Sequence, residues 1–168
     1  MDHPESDWAF VYFDFNDFRP FNDSYGFRQG DRAITLFADI LQAESMTLPG
    51  LLGHVGGDDF FAGFKDLPQD DVQRFVKHVL EKFKADAEGL YLPEHRTAGK
   101  LEAKDRHGQM RSFGLLSCAA AIVHLTRGPH RIEPDQLFDV IAKGKKAAKQ
   151  METAISLDIV DRSAEEDR

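Results

Sequence analysis

The chain has 168 residues, a formal net charge of −8 and a 42% share of hydrophobic residues, 14 of them phenylalanines. This length suits one domain, and the apolar content is enough to bury a substantial core. A membrane span and secretion are not expected, because there is no apolar run of about 18 residues and no visible signal peptide. The acidic balance also argues against a nucleic-acid-binding protein. The single cysteine, Cys118, excludes an internal disulfide and fits a reducing, cytoplasmic location.

The start of the chain predicts a buried strand. Residues 1–8 are expected to form a loose N-terminus, and residues 9–160 a single domain. The apolar and aromatic run over residues 8–13 predicts a central strand, which ends at Asp14. A carboxylate at the end of a buried strand is well placed to face a site, so Asp14 is a candidate functional residue.

Two helices are expected next. Asp17 is predicted to cap a short helix over residues 19–25, because an Asp side chain accepts hydrogen bonds from the free amides at a helix start. Asp31 is predicted to cap a longer helix, in which apolar residues recur at steps of three and four up to Leu41.

A hairpin follows these helices. Apolar residues flank Gly56-Gly57-Asp58-Asp59, which predicts two short buried strands joined by a tight turn at the glycines. Two adjacent carboxylates at the hairpin tip repel each other unless a cation or water screens them, and Mg²⁺ prefers such oxygen ligands. If Asp14 lies on a neighbouring strand, three carboxylates converge and suit a pair of Mg²⁺ ions acting on a triphosphate. An ordinary acidic turn in solvent has the same composition.

The second half of the chain completes a mixed fold. Its predicted elements are a helix over 72–83, a hairpin around 105–108, a central strand over 113–125, a helix over 134–153, a strand over 155–160 and a disordered tail over 161–168. This order predicts an α+β fold in which helices flank a largely antiparallel central sheet.

Two segments together resemble the GGDEF domain, the catalytic domain of diguanylate cyclases. After the strand that ends at Asp14, the chain keeps every spacing of the family pattern in Phe18-Arg19-x-x-Asn22-Asp23-x-x-Gly26-x-x-x-Gly30-Asp31 and then carries Gly56-Gly57-Asp58-Asp59-Phe60. The resemblance implies a palm-like nucleotidyl cyclase fold and the condensation of two GTP into cyclic di-GMP, with release of two pyrophosphates. It also implies Mg²⁺ or Mn²⁺ and an antiparallel homodimer in which each protomer presents one GTP.

The family's functional residues carry over position by position. The implied metal ligands are Asp14, Asp58 and the carbonyl of Phe15, and the implied catalytic residues are Asp58 and Asp59. The implied substrate contacts are Asn22 and Asp31 at the guanine edge, Arg19 and Lys149 at the phosphates, and Gly56 and Gly57 in the signature turn. Taken singly, these polar and charged residues are equally typical of turns, helix caps and solvated surfaces.

Several positions depart from the family pattern. Asp59 stands where the family has Glu, and the shorter side chain sets its carboxylate about 1 Å further back, enough to disturb catalytic geometry. The other departures are Asn16 for Asp, Phe27 for His, Lys146 for Tyr, Thr153 for Arg, and residues 47–50 in place of the inhibitory Arg-x-x-Asp product site. Feedback inhibition through that site is therefore not expected.

Two functions remain open. One is a diguanylate cyclase whose activity these departures would reduce. The other is a catalytically degenerate GTP-binding domain that regulates an attached EAL phosphodiesterase, because the GGDDF signature and the hairpin at residues 105–108 resemble a subgroup fused to EAL and CBS domains. A remote third interpretation is the palm domain of CRISPR polymerases, which gives no reason for Asn22 and Asp31 at this spacing.

Overall fold

The structure is a computed structural model that describes residues 6–163. Its elements are β1 (Trp8–Asn16), α1 (Phe18–Tyr25), α2 (Phe27–Ser45), β2 (Gly50–Gly56), β3 (Asp59–Lys65), α3 (Gln69–Ala87), a 3-10 turn (Glu88–Leu90), α4 (Pro93–Ala98), β4 (Lys100–Lys104), β5 (Met110–Gly114), β6 (Ser117–Leu125), α5 (Pro134–Ala148) and β7 (Ile155–Val160). No helix of this described part is long and apolar enough to cross a membrane.

A five-stranded sheet forms the centre of the fold. Its strand order is β2-β3-β1-β6-β7, and β4 and β5 form a separate hairpin. All neighbours in the main sheet are antiparallel except β6 and β7, which run parallel. Because β1 lies in the middle, its end is flanked by β3 on one side and β6 on the other. The predicted α+β fold with a largely antiparallel sheet is confirmed.

The two faces of β1 have different partners because side chains alternate along a strand. Val11, Phe13 and Phe15 are buried in the main core, where the ring of Phe15 lies 5.2 Å from that of Phe37 on α2. The other face carries Tyr12 and Asp14 and points toward α5, whose apolar residues form a second, smaller cluster with β6. Asp14 therefore lies on the α5 side of the sheet.

Several predicted elements are confirmed. The amphipathic helix lies within α3, the hairpin around residues 105–108 is β4–β5, and the final strand is β7 with the predicted bounds. The run over 113–125 was predicted as one strand, but it divides between β5 and β6. The helix predicted up to residue 153 ends at Ala148.

Of the two predicted helix caps, Asp17 has the predicted position but not the capping hydrogen bond, and Asp31 is wrong. Asp17 directly precedes α1, but its backbone is left-handed (φ 59°) and its side chain makes no capping hydrogen bond within the described chain. Its carboxylate instead lies beside Gly114, where burial raises its pKa. Asp31 is inside α2, because the chain turns at Gly26 (φ 84°), whose carbonyl accepts the first helical amides, and not at Gly30.

The hairpin strands are not equally buried, contrary to the prediction. β3 has four buried residues, whereas β2 is an edge strand that is exposed along almost its whole length. Edge position is a property of the sheet order, so the local apolar pattern of β2 does not reveal it.

Parts of the segments expected to be loose are held in place. Ser6 is buried, and its carbonyl accepts a hydrogen bond of 2.9 Å from the guanidinium of Arg162. Asp7 accepts a hydrogen bond of 2.6 Å from the Arg127 amide. The rest of those two segments, residues 1–5 and 164–168, lies outside the described residues.

Candidate functional site

Three carboxylates meet where β1 and β3 pair. Asp14 and Asp59 are direct cross-strand neighbours in the antiparallel register, and Asp58 precedes Asp59 in the connecting turn. We call Asp14, Asp58 and Asp59 the acidic corner. The sequence predicted that the hairpin tip and the end of the first strand would meet if the two strands were neighbours, and the register of β1 and β3 makes them so.

The signature glycines shape the turn that presents Asp58. Gly56 (φ 147°) and Gly57 (φ 54°) both have positive φ, a conformation that residues with a Cβ adopt rarely. β2 ends at Gly56 and β3 begins at Asp59, so the turn itself is Gly57-Asp58, one residue later than predicted. Nε2 of His54 forms a 2.8 Å hydrogen bond with the Gly57 carbonyl, which stabilises this turn.

Two lysines of α5 reach into the acidic corner. Lys149 Nζ lies 2.9 Å from Asp14 Oδ2 and 3.4 Å from the Phe15 carbonyl oxygen. Lys145 Nζ lies 3.4 Å from Asp14 Oδ2 and 3.1 Å from Asp59 Oδ1. Sequence reasoning identified Lys149 but missed Lys145. The available signal was the spacing, since residues four apart share one face of a helix.

The charges of the corner do not balance, because three carboxylates face two ammonium groups. Burial raises the pKa of Asp58, and the charges of Asp14 and Asp59 raise it further. Burial acts to lower the pKa of Lys145, but the hydrogen bond to Asp59 and the charge of Asp14 outweigh it, so the net shift is upward. The excess negative charge favours a further cation beside Asp58.

The donor atoms of the corner are oxygens, the kind that a divalent cation of the magnesium type prefers. The ammonium of Lys149 contacts both Asp14 and the Phe15 carbonyl, so two of the three predicted ligands converge on one cation-sized position. Residues 6–163 contain no group of three or more His, Cys, Asp or Glu side chains suited to a metal. Two carboxylates and a carbonyl still suit Mg²⁺, which usually keeps several waters and binds substrate phosphates as well.

A cavity of about 840 Å³ adjoins the corner, and we call it the cleft. Asp58 lines it on one side, α1 contributes Arg19 and Asn22, and the β4–β5 hairpin contributes Lys104 and Arg106. Its volume falls within the range of roughly 300–1,000 Å³ that is usual for small-ligand sites. The cleft thus has an acidic end at the corner and a basic wall on the hairpin.

Asn22 lines this cleft, and its side-chain oxygen is an unsatisfied acceptor packed beside Gly30. Its Oδ1 is buried and has no hydrogen-bond partner among residues 6–163. A buried acceptor left without a donor costs about 1–3 kcal/mol, so such groups are usually satisfied by water or a ligand. Gly30 makes room for it, because a Cβ at that position would lie 1.9 Å from Asn22 Oδ1.

Two further predicted substrate contacts, Asp31 and Arg19, are less well placed than Asn22. Asp31 is exposed and lines a second cavity of about 620 Å³ with Arg28 and Arg32. Gly30 faces Asn22, so its neighbour Asp31 points about 100° further round the helix. Asn22 and Asp31 therefore do not line the same cavity in the described residues. Arg19 is exposed at the cleft and forms a 3.6 Å ion pair with Asp23.

One known protein family matches the sequence of this chain. The model of the family described as "Diguanylate cyclase, GGDEF domain" matches residues 2–103, which is more than half of the chain. The chain belongs to the GGDEF domain family. No sequence among curated proteins matches it.

Solved structures of GGDEF domains share its fold. The GGDEF domain of DgcB from Caulobacter crescentus, solved in complex with c-di-GMP, is 14% identical with a TM-score of 0.60, covering 94% of this chain and 78% of that chain. The active GGEEF domain of a diguanylate cyclase from Vibrio cholerae is 14% identical with a TM-score of 0.57, covering 95% and 85%. The FimX GGDEF domain from Pseudomonas aeruginosa is 13% identical with a TM-score of 0.61, covering 93% and 82%.

In this GGDEF domain, the last carboxylate of the signature is already engaged. Asp59 replaces the usual Glu, and its Oδ1 accepts the hydrogen bond from Lys145. The residue that departs from the family pattern, Asp59, thus has a partner on α5 that the signature sequence alone does not reveal.

Proposed function

We propose that this GGDEF domain binds GTP with Mg²⁺ or Mn²⁺ in the cleft, and that two copies condense their nucleotides into cyclic di-GMP. The observation that carries the proposal is Asn22, which lines the same cleft as Asp58 and whose buried Oδ1 has no hydrogen-bond partner among residues 6–163. The N1–H and N2–H donors of a guanine edge would satisfy this acceptor. The triphosphate would then extend from the base toward the acidic corner.

Each charged group of the site has a role in this proposal. Asp14, Asp58 and the Phe15 carbonyl would hold the divalent ion. When bound, such an ion neutralises phosphate oxygens and lowers the pKa of an attacking hydroxyl. Lys149 and Arg19 would neutralise the remaining charge of the phosphates, which point charges and guanidinium groups do well.

The glycine turn and the second copy complete the proposed chemistry. Gly56 and Gly57 carry no Cβ, and the space beside them is open in the described part of the chain, so phosphate oxygens could approach their backbone closely. In a two-fold symmetric dimer, the 3′-hydroxyl oxygen of each GTP bonds to the α-phosphorus of the other. The bond from that phosphorus to the β-phosphate oxygen breaks, the hydroxyl proton is released, and two pyrophosphates leave.

A second candidate is a GTP-binding regulatory domain that controls an attached EAL phosphodiesterase. The pairing of Asp59 with Lys145 favours it, because a carboxylate held at 3.1 Å by an ammonium is less available for catalysis. Attached EAL, CBS or sensor domains would be the partners in that case. Under this proposal the site binds GTP but does not turn it over.

Nucleotide chromatography separates the two candidates. Purified protein at high concentration is incubated with GTP and Mg²⁺ or Mn²⁺, since dimerisation depends on concentration. Formation of cyclic di-GMP supports the cyclase. GTP binding by calorimetry without turnover supports the regulator, provided that Asn22→Ala weakens it by roughly 5- to 150-fold and Ser24→Ala, an exposed change on the same helix outside the cleft, leaves it unchanged. If the wild-type protein does not bind GTP at all, both candidates are rejected.

A further inference from the structure

Lys145 lies between the carboxylates of Asp14 and Asp59, which are directly opposite each other on the neighbouring strands β1 and β3. Its Nζ is 3.1 Å from Asp59 Oδ1 and 3.4 Å from Asp14 Oδ2, and it lies 4.4 Å from the centre of the Tyr12 ring. Like charges directly opposite on neighbouring strands destabilise a sheet unless a cation compensates them. Lys145 provides that cation from within the chain, and its side chain is only 26% exposed.

The position of Lys145 is fixed by the packing of α5 on the sheet. The preceding residue, Gly144, is buried, and a Cβ there would lie 3.0 Å from both Ala121 Cβ and Ser156 Oγ. The Ser156 hydroxyl donates a 2.8 Å hydrogen bond to the Gly144 carbonyl. This close approach of α5 to β6 and β7 brings the next residue over the acidic corner, whereas Lys143 on the same helix is exposed.

The space between Asp14 and Asp59 is also where a second divalent ion would bind. Sites with two metal ions hold them about 3.5–4 Å apart, close enough for one carboxylate to contact both ions. Asp14 contacts both lysines, with Lys149 at 2.9 Å on the side of the Phe15 carbonyl and Lys145 at 3.4 Å on the side of Asp59. The two ammonium groups thus mark two cation positions around one shared carboxylate.

We infer that Lys145 takes the place of a second divalent cation, so that this GGDEF domain binds one such ion and not two. The sequence alone suggested a pair of Mg²⁺ ions, because it showed three carboxylates and not the lysine between two of them. The inference rests on the proposed function only for the position of the first ion, at Asp14, Asp58 and the Phe15 carbonyl. Lys145 is a positioning residue in this account, since it acts through Asp14 and Asp59.

Counting Mn²⁺ ions tests the inference without nucleotide or turnover. The number of bound ions per chain and their affinities are measured by calorimetry and by the electron paramagnetic resonance signal of free Mn²⁺. The wild type is expected to bind at most one ion. Lys145→Met is expected to gain one ion or to bind Mn²⁺ at least roughly 10-fold more tightly, because a unit charge 3.1 Å from Asp59 and 3.4 Å from Asp14 has been removed. Lys143→Met, an exposed change of the same kind, is the matched control.

A charge-retaining variant keeps the test valid if Lys145→Met folds poorly. Lys145→Arg preserves the positive charge and is expected to bind as many ions as the wild type. A second ion in wild type or in Lys145→Arg would overturn the inference, as would equal ion binding by Lys145→Met and Lys143→Met. GTP binding is measured separately on the wild type, so failure of the proposed function is recognised independently of the ion count.

Discussion

Replacing Gly30 by Ala is expected to separate nucleotide binding from stability. Gly30 is buried in α2, and an added Cβ would lie 1.9 Å from Asn22 Oδ1 and 2.9 Å from Asn22 Cγ. An ordinary contact of 3.4 Å requires the amide to move by 1.5 Å, the difference between 3.4 and 1.9 Å. The backbone of Gly30 is held by the helix, so the Asn22 side chain must rotate out of its buried position.

The two consequences of Gly30→Ala differ in size. Ala is favoured over Gly inside a helix by about 1 kcal/mol, and an off-rotamer side chain costs about 0.5–1.5 kcal/mol. The free energy of unfolding should therefore change by no more than about 1 kcal/mol. A side-chain contact that reads a base is worth about 1–3 kcal/mol, so GTP affinity should fall by roughly 5- to 150-fold.

Calorimetry with GTP and urea unfolding measure these two quantities. Gly53→Ala is the matched control, because its Cβ would meet only Phe61 Cδ1, at 3.9 Å. In a double-mutant cycle, Gly30→Ala should cost nothing further in an Asn22→Ala background, since both changes remove the same amide. A folded Gly30→Ala protein that binds GTP as tightly as the wild type would refute the role of the Asn22 amide in base recognition.

Three further changes test other parts of the molecule. Burial raises the pKa of Tyr91 to about 12, and its hydroxyl accepts the Leu116 amide at 2.8 Å. Tyr91→Phe should lower the free energy of unfolding at pH 7 by about 1–3 kcal/mol, because that amide loses its acceptor. The difference in unfolding free energy should narrow in urea unfolding at pH 11, because the unfolded wild type releases the Tyr91 proton before the folded state does, a loss of stability that Tyr91→Phe does not share; a constant difference would contradict this. Asp31→Ala should weaken GTP binding, measured by calorimetry, by less than about 5-fold, because of these two residues only Asn22 lines the cleft. Equal losses of affinity in Asp31→Ala and Asn22→Ala would show that the base contacts both residues. Asp59→Glu should increase the yield of cyclic di-GMP in nucleotide chromatography, because its carboxylate reaches about 1 Å further; an unchanged yield would mean that another departure limits turnover.

Local patterns predicted those features of the fold that local interactions determine. The apolar run ending at Asp14 predicted β1, and the helical spacing of apolar residues predicted α3. The acidic hairpin tip was predicted to meet Asp14 if the two strands were neighbours, and the pairing of β1 with β3 confirms this. These features depend on strand alternation, helix periodicity and turn chemistry, all of which are written in short stretches of sequence.

Features that depend on how distant elements meet were not predicted. The position of Lys145 over Asp59 requires α5 to cross the sheet 86 residues further along the chain. The exposure of β2 follows from its place at the sheet edge, and the start of α2 at Phe27 follows from the turn at Gly26. An Asp before an apolar run is equally typical of a helix cap and of a second helical turn, so Asp31 was assigned to the wrong one.

Lys149 and Lys145 would couple the binding of a divalent ion to the binding of nucleotide in the acidic corner. Lys149 contacts Asp14 and the Phe15 carbonyl, two of the three ligands assigned to the divalent ion in the proposed function. An ion can use those oxygens only if the ammonium moves, and a bound triphosphate gives the ammonium another anion to contact. Ion and nucleotide would then each increase the affinity of the other by the same factor, because coupling between two sites is reciprocal. Lys145 is packed more deeply than Lys149 and is contacted by Asp59 as well as Asp14, so it would stay in place while Lys149 exchanges partners. The domain would therefore hold its carboxylates together without metal and still admit one ion with its nucleotide.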